Sequence, residues 1–308
     1  TVNCFRPIKA YRADGGGVKF ASAGQEKGFI DRWIELPCGQ CKSCRIRRSQ
    51  EWATRMYHEM KLHKENCFLT LTYNSKHLPE DLSLNRKHFQ DFIRSLRKRT
   101  GKKIRYYHCG EYGDENQRPH YHAILFGYWP EDSMRLSNVG ASGIQLYSSR
   151  FLEEVWSRGF VSVGMATWES AAYVARYVVK KVRKSDDPQF IGDFIERYGR
   201  WDSTTGEFWT VEPEYATMSL KPGIGAGFYK KYKASIYPHD VVIVNGRKYR
   251  VPRYYDKLLE AENPRELDSY KVQRRDFGYK KFDDNTPERL KVKEKVLEAR
   301  TKFLKRSL

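Results

Sequence analysis

Residues 104–127 read IRYYHCGEYGDENQRPHYHAILFG. Two β-prone runs, Ile104 to Tyr112 and His120 to Gly127, flank the turn-forming cluster Gly113-Asp-Glu-Asn-Gln-Arg118. That pattern predicts an antiparallel hairpin. If Asp114 to Gln117 form a four-residue loop, the register sets Glu111 directly across from His120. His120 and His122 are two apart on one strand, so both point to the face that Glu111 shares. Two imidazoles and a carboxylate then converge. Such a mixed set, with open positions for water and phosphate oxygens, suits Mg2+ or Mn2+ acting as a Lewis acid. A His-x-His pair alone is more often a pair of surface or core histidines, and it is the register that favours the metal reading.

Upstream, Cys67-Phe-Leu-Thr-Leu-Thr-Tyr73 is β-rich and reads as a buried strand. A helix is expected from about Asn85 to Arg99, with Phe89, Phe92, Ile93 and Leu96 on one side and Gly101 past its end. Arg45 to His63 carries Ile46, Trp52, Met56 and Met60 among charges without Gly or Pro, which predicts a long amphipathic helix. Its first turn holds Arg45, Arg47 and Arg48. Downstream, Phe151 to Trp156 reads as helix, Gly159 to Met165 as strand, and Thr167 to Val182 as a helix capped by Thr167. The mixture with one clear hairpin predicts an α+β fold: an antiparallel sheet with helices on one face rather than a doubly wound parallel sheet. Three segments are expected: 1–63 with a cysteine cluster and basic helix, 64–185 as the core, and 186–308 as a C-terminal extension that can pack with it. The last twenty residues set Arg289, Lys291, Lys293, Lys295, Arg300, Lys302, Lys305 and Arg306 against Glu294 and Glu298, which predicts a basic surface helix.

The expected helix at 167–182 contains Tyr173-Val-Ala-Arg-Tyr177-Val-Val-Lys180-Lys181. A spacing of four puts both phenols on one helix face, with Lys180 or Lys181 a turn later. Tyrosines packed on a sheet would give the same pattern. A phenol with a pKa near 10 is a poor nucleophile, but a metal that polarises a phosphate and a lysine that offsets developing charge make its attack feasible.

Composition narrows the partner. With 57 Lys and Arg against 38 Asp and Glu, the formal net charge of +19 attracts polyanions. Twenty-one tyrosines, 16 phenylalanines and 7 tryptophans favour unpaired nucleic acid, whose bases stack on aromatic faces, over a membrane surface. No charged-then-apolar leader opens the sequence and no run reaches the roughly 18 apolar residues of a membrane span, so a soluble cytoplasmic protein with no membrane partner is expected.

Three segments in order, Phe68-Leu-Thr-Leu-Thr-Tyr-Asn74, His120-Tyr-His122 and Tyr173-x3-Tyr177-x2-Lys180, resemble the three motifs of HUH-superfamily rolling-circle initiators in their two-tyrosine form. Pro37-Cys-Gly-Gln-Cys-Lys-Ser-Cys-Arg45, Glu51-Trp52, Arg118-Pro119-His120 and Lys221-Pro-Gly-Ile-Gly225 are similar to replication initiators of microviruses, especially the gokushovirus branch. The likeness spans about residues 1–230. It implies a ferredoxin-like antiparallel sheet whose central strands carry the histidines, with the tyrosine helix against it. It also implies nicking at a phage origin in the bacterial host cytoplasm, through a 5′-phosphotyrosine that leaves a 3′ hydroxyl for host polymerase, with a host helicase unwinding. Carried over, Tyr173 and Tyr177 alternate as nucleophiles, Lys180 or Lys181 faces the phosphate, and His120 and His122 hold the metal with Glu111, or in its place the nearby His108. A plasmid initiator, relaxase or transposase would share this chemistry, and a non-catalytic single-strand-binding module would share the sheet.

Cys38, Cys41 and Cys44, with Cys4 as a fourth thiolate, could hold a structural zinc, remain reduced thiols, or bind an iron–sulfur cluster. Cys67 and Cys109 fall in expected strands and read as core. Arg45, Arg47, Arg48, Arg118 and Lys221 are the DNA-binding candidates. Gly223-Ile-Gly225-Ala-Gly227 lacks the strand-to-helix context and lysine of a phosphate-binding loop and reads as a turn; no Gly-x4-Gly-Lys-Ser/Thr occurs, so no ATP-driven helicase is expected.

Overall fold

Apolar residues at both parities of the strands decide the architecture. The structure, a computed structural model, describes residues 4–12, 17–20, 33–113, 116–139, 144–180, 188–280 and 283–302, leaving aside the side chains of residues 12, 33, 138, 139, 177–180 and 188–190. Two compact units form: residues 1–48 with 253–306, and residues 49–252. In the first, β1 (Ile8–Arg12) pairs antiparallel with β2 (Val18–Phe20) and with β3 (Trp33–Leu36), after which α1 (Lys42–Met60) begins.

The second unit runs β4 (Asn66–Tyr73), α2 (Arg86–Thr100), β5 (Arg105–Tyr112), β6 (Pro119–Phe126), β7 (Met134–Val139), β8 (Gln145–Ser148), α3 (Arg150–Trp156), β9 (Gly159–Met165) and α4 (Trp168–Lys180). It continues with α5 (Pro188–Tyr198), β10 (Gly199–Trp201), β11 (Phe208–Thr210), β12 (Tyr215–Met218), α6 (Ala226–Ile236), β13 (Val241–Val244) and β14 (Arg247–Arg250). Seven strands make one sheet, in the order β12-β5-β6-β4-β9-β8-β7, and every pairing in it is antiparallel. The fold is therefore α+β. Within it, β4-α2-β5-β6-α3-β9 gives the strand neighbours β5-β6-β4-β9, the split βαβ arrangement of a ferredoxin-like core. Strand β12 comes from beyond residue 186 and completes the sheet beside β5.

Helix boundaries follow local chemistry. Asn85 caps α2 by accepting the Lys87 N–H at 3.0 Å, and Gly101 ends it at φ 66°, a left-handed conformation natural to glycine. Thr167 caps α4 reciprocally: its Oγ1 accepts the Ser170 N–H at 3.2 Å while Ser170 Oγ accepts the Thr167 N–H at 2.8 Å.

The expectation of helices on one face is corrected. Cys67, Leu69 and Leu71 of β4 pack with Tyr121, Ala123 and Leu125 of β6 under Phe89, Phe92 and Leu96 of α2 and Trp156 of α3. The opposite parity, Phe68, Tyr107, Ile124 and Phe126, packs under Met56 of α1 and Tyr173 and Val174 of α4. Strands apolar on both sides need cover on both sides. Cys67 and Cys109 are buried core residues as expected.

The glycine segment is also corrected. It is a turn, but one that joins β12 to α6, so a strand-to-helix context is present. The N–H of Gly225 at the helix start donates to Glu59 Oε2 at 2.7 Å, and this internal carboxylate occupies the place a phosphate would need. Back in the first unit, α7 (Arg253–Glu262) packs with α8 (Pro264–Tyr279), and α9 (Pro287–Lys302) is the expected basic helix, with Arg289 and Lys293 engaging Asp284. Among the described residues no helix is long and apolar enough to cross a membrane.

Candidate metal and tyrosine site

The hairpin register is the expected one: Glu111 pairs with His120 and Tyr112 with Pro119. Glu111, His120 and His122 thus share the α1/α4 face of the sheet. Glu111 Oε1 lies 2.6 Å from His120 Nε2 and 3.1 Å from His122 Nε2. Each ring is held by its other nitrogen: His120 Nδ1 donates to the Arg118 carbonyl at 3.1 Å, and His122 Nδ1 is 3.0 Å from Thr70 Oγ1. With Nδ1 as donor, a neutral imidazole turns a lone pair at Nε2 toward the carboxylate, the tautomer that ligates metal.

This donor set fits a cation. Lone pairs of three residues converge with their ligand atoms within 4.8 Å of one another. Glu111 Oε2 is buried without a hydrogen-bond partner, so the carboxylate has an acceptor to spare. Burial by itself would raise the Glu111 pKa, but the hydrogen bonds with His120 and His122 outweigh it and bring it down to about 2. The carboxylate stays charged. His108, the alternative third ligand, lies on the other face, stacked on Phe89 at 3.5 Å with Nδ1 2.9 Å from Thr217 Oγ1; burial holds its pKa well below the usual range and keeps it neutral.

Tyr173 projects from α4 onto the same face, its hydroxyl 3.4 Å from His122 Nε2 and its ring edge-on to His122 at 5.0 Å. Tyr177 and Lys180 belong to α4, but their side chains lie outside the described residues, as does Lys181 altogether. Arg176 was not anticipated: its guanidinium sits 5.5 Å from the Tyr173 ring centre, at the same three-residue offset from Tyr173 that Lys180 has from Tyr177. The repeated Tyr-x-x-cation spacing was the available signal.

One row across the sheet runs Glu111, His120, Thr72, Phe160, and the next row holds His122, Thr70 and Ser162. Phe160 is 64% exposed although it lies on a central sheet, two strand spacings or about 10 Å from His120. Of the basic candidates, Arg118 adjoins the cluster through its carbonyl while its guanidinium donates to the Tyr73 carbonyl. Lys221 follows β12 at the Arg105 end of β5, about 20 Å of strand away from Glu111, so it is not brought to the cluster. Arg45, Arg47 and Arg48 are half-buried on the first turns of α1. Cys4, Cys38, Cys41 and Cys44 gather in the first unit.

Residues 66–182, from β4 through α4 and so including the whole cluster, match the family model described as replication-associated protein ORF2. Over 87% of its length the chain is 32% identical to replication-associated protein VP4 of Bdellovibrio phage phiMH2K, covering 81% of that protein. This chain belongs to the phage replication-associated proteins. Another member, replication-associated protein ORF2 of Spiroplasma virus 4, is 32% identical over 84% of this chain and 81% of its own. Replication-associated protein ORF4 of Chlamydia phage 1 is also 32% identical, over 73% of this chain and 53% of its own. No solved structure matches this replication-associated protein.

Proposed function

We propose that this replication-associated protein initiates rolling-circle replication by nicking and rejoining one DNA strand at a phage origin in the bacterial host. The observation that carries the reading is the Tyr173 hydroxyl 3.4 Å from His122 Nε2, beside a carboxylate and two histidines fit for a divalent ion. Mg2+ or Mn2+ held by Glu111, His120 and His122 would polarise the scissile phosphate. Tyr173 presents its hydroxyl to that phosphorus from a helix packed on the same sheet face. The phenolic oxygen bonds to phosphorus as the bond to the 3′ oxygen breaks; the phenol proton leaves to water and the 3′ oxygen gains one, giving a 5′-phosphotyrosine and a free 3′ hydroxyl. Arg176, with Lys180 or Lys181, offsets charge that builds on the phosphate. Tyr177, one turn along α4, serves the second transfer that rejoins the strand. The 3′ hydroxyl primes a host polymerase, and a host helicase opens the duplex.

The row from His120 over Thr72 to Phe160 supports a path for the unpaired strand, with Phe160 stacking a base. Arg118 on the hairpin, and Arg45, Arg47 and Arg48, supply phosphate contacts. The test is to incubate the protein with circular and single-stranded phage-type DNA, with Mn2+ or with EDTA, and to map any covalent adduct by peptide mass spectrometry. A metal-dependent adduct on Tyr173 or Tyr177, lost in the His120→Ala, His122→Ala variant, is expected. Tight binding of origin DNA without an adduct would overturn catalysis in favour of a single-strand-binding module.

A further inference from the structure

Outside the tyrosine site, a second group of ligand-type side chains stands in the first unit. Cys4 precedes β1, Cys38 and Cys41 lie in the turn between β3 and α1, and Cys44 is in the first turn of α1. Their four sulfur atoms all lie within 4.8 Å of one another, with Cys4 Sγ 3.5 Å from Cys38 Sγ and 3.8 Å from Cys41 Sγ. A tetrahedron of thiolates with metal–sulfur bonds of about 2.3 Å has edges of about 3.8 Å. A disulfide would need about 2.05 Å, and none of the six cysteines is paired. A multi-iron cluster spreads its thiolates around a larger body than these four enclose.

Backbone donors complete the picture. Cys38 Sγ accepts the N–H groups of Gln40 at 3.4 Å and Cys41 at 3.2 Å, and Cys4 Sγ accepts that of Cys38 at 3.3 Å. N–H donors aimed at sulfur favour the thiolate. The turn that aims them needs Gly39 at φ 74°, a left-handed conformation that glycine adopts without strain. Charge agrees as well. The first turn of α1 has no acidic residue and is followed by Arg45, Arg47 and Arg48, a costly arrangement at the positive end of a helix dipole. Four thiolates around a dication carry two net negative charges at that end and reverse the cost.

We propose that Cys4, Cys38, Cys41 and Cys44 hold one tetrahedral zinc ion that staples the chain before β1 to the start of α1. Cys4 is the decisive ligand, because it lies 34 residues from its nearest partner and only folding brings it there. The site is independent of the nicking reading.

The test uses the full chain, purified under reducing conditions and dialysed against a weak chelator, with metal content measured by mass spectrometry and cobalt titrated into apo-protein. One zinc per chain is expected, retained in the His120→Ala, His122→Ala variant and in Cys109→Ala, and lost in Cys4→Ser and in Cys38→Ser. Cobalt should give the strong thiolate charge-transfer and visible absorption of a tetrahedral four-sulfur centre in wild-type protein, a readout that does not depend on whether the serine variants fold. Bound iron, substoichiometric zinc with no cobalt charge-transfer, or alkylation that shows the four cysteines oxidised would each overturn the assignment.

Discussion

Thr70 carries no charge and lies beside the metal ligands, yet its hydroxyl, 3.0 Å from His122 Nδ1, fixes which nitrogen of that ring faces Glu111. Partners of this kind are worth about 10–100-fold in metal affinity or activity. Thr70→Val keeps the shape and removes the bond, so Mn2+ affinity measured by calorimetry should fall by about that factor, with Thr70→Ser restoring it. Unchanged affinity in the valine variant would mean that His122 is oriented by packing on Phe68 alone. Phe160 makes the complementary case for DNA. A solvent-facing phenylalanine in the row of His120 and Thr72 gives an unpaired base a flat surface. Phe160→Ala should weaken single-strand binding by about 1–3 kcal/mol while leaving metal binding intact. An alanine variant that binds an oligonucleotide as well as wild type would remove Phe160 from the path. Neither residue stood out beforehand. A threonine on a strand is ordinary, and exposure of one phenylalanine depends on what the helices leave uncovered. Glu111, His120 and His122 were legible because strand pairing has a period of two and the turn length set the register.

At the scale of elements, α1 shows what propensity alone does not reveal. Its apolar residues pack on the sheet, but the same buried side also carries Glu59 and His58. Glu59 accepts from Arg105 Nε at 2.6 Å, sits 3.4 Å from His63 and accepts from the Gly225 N–H, so it ties α1, β5 and the start of α6 together. Burial would raise its pKa, yet these partners outweigh burial and lower it. Removing one member of a buried pair leaves the other charge unmatched, and Glu59→Gln should cost about 3–5 kcal/mol in urea unfolding, much less when combined with Arg105→Met. Equal loss in the single and double variants would show no coupling. His58 stacks on Phe228 at 3.8 Å, and burial lowers its pKa from 6.5 to about 3. The unfolded chain binds a proton below pH 6.5 that the folded chain refuses. Stability is therefore full above that pH and falls as pH drops, by about 2 kcal/mol from this group at pH 5. His58→Phe should flatten the slope of unfolding free energy between pH 7 and 5 by close to one proton; an unchanged slope would assign it to other groups. The elements with their own signals, the caps of α2 and α4 and the whole of β9, were legible to within a residue or two. Strands β7, β8 and β12 were not, because short polar segments such as Met134–Val139 and Tyr215–Met218 become strands only through the neighbour they pair with.

For the whole molecule the governing quantity is the formal charge of +19, and its role separates cleanly from that of the tyrosine site. Fixed charge raises the local concentration of a polyanion and speeds its approach, but it selects neither a phosphorus atom nor a nucleophile. Some of that charge is matched internally: Arg105 by Glu59, Arg197 by Glu214, Arg274 by Asp256, and Arg289 and Lys293 by Asp284. The surplus is what DNA meets. Each phosphate neutralised on a single strand contributes a slope of about −0.7 to the dependence of log affinity on log salt. A protein that guides an unpaired strand over several residues should therefore show a slope steeper than about −3, whatever the oligonucleotide sequence. Once DNA is saturating, the rate at which the covalent adduct forms should vary little with salt, because Glu111, His122 and Tyr173 are buried, His120 is half-buried, and charges so placed are only weakly screened. Filter binding and single-turnover adduct formation across the same salt series measure the two quantities side by side. If the single-turnover rate at saturation fell in parallel with affinity, the basic surface would have to act in the chemical step itself, and the division between a charged surface that recruits and a sheltered cluster that cuts would be wrong.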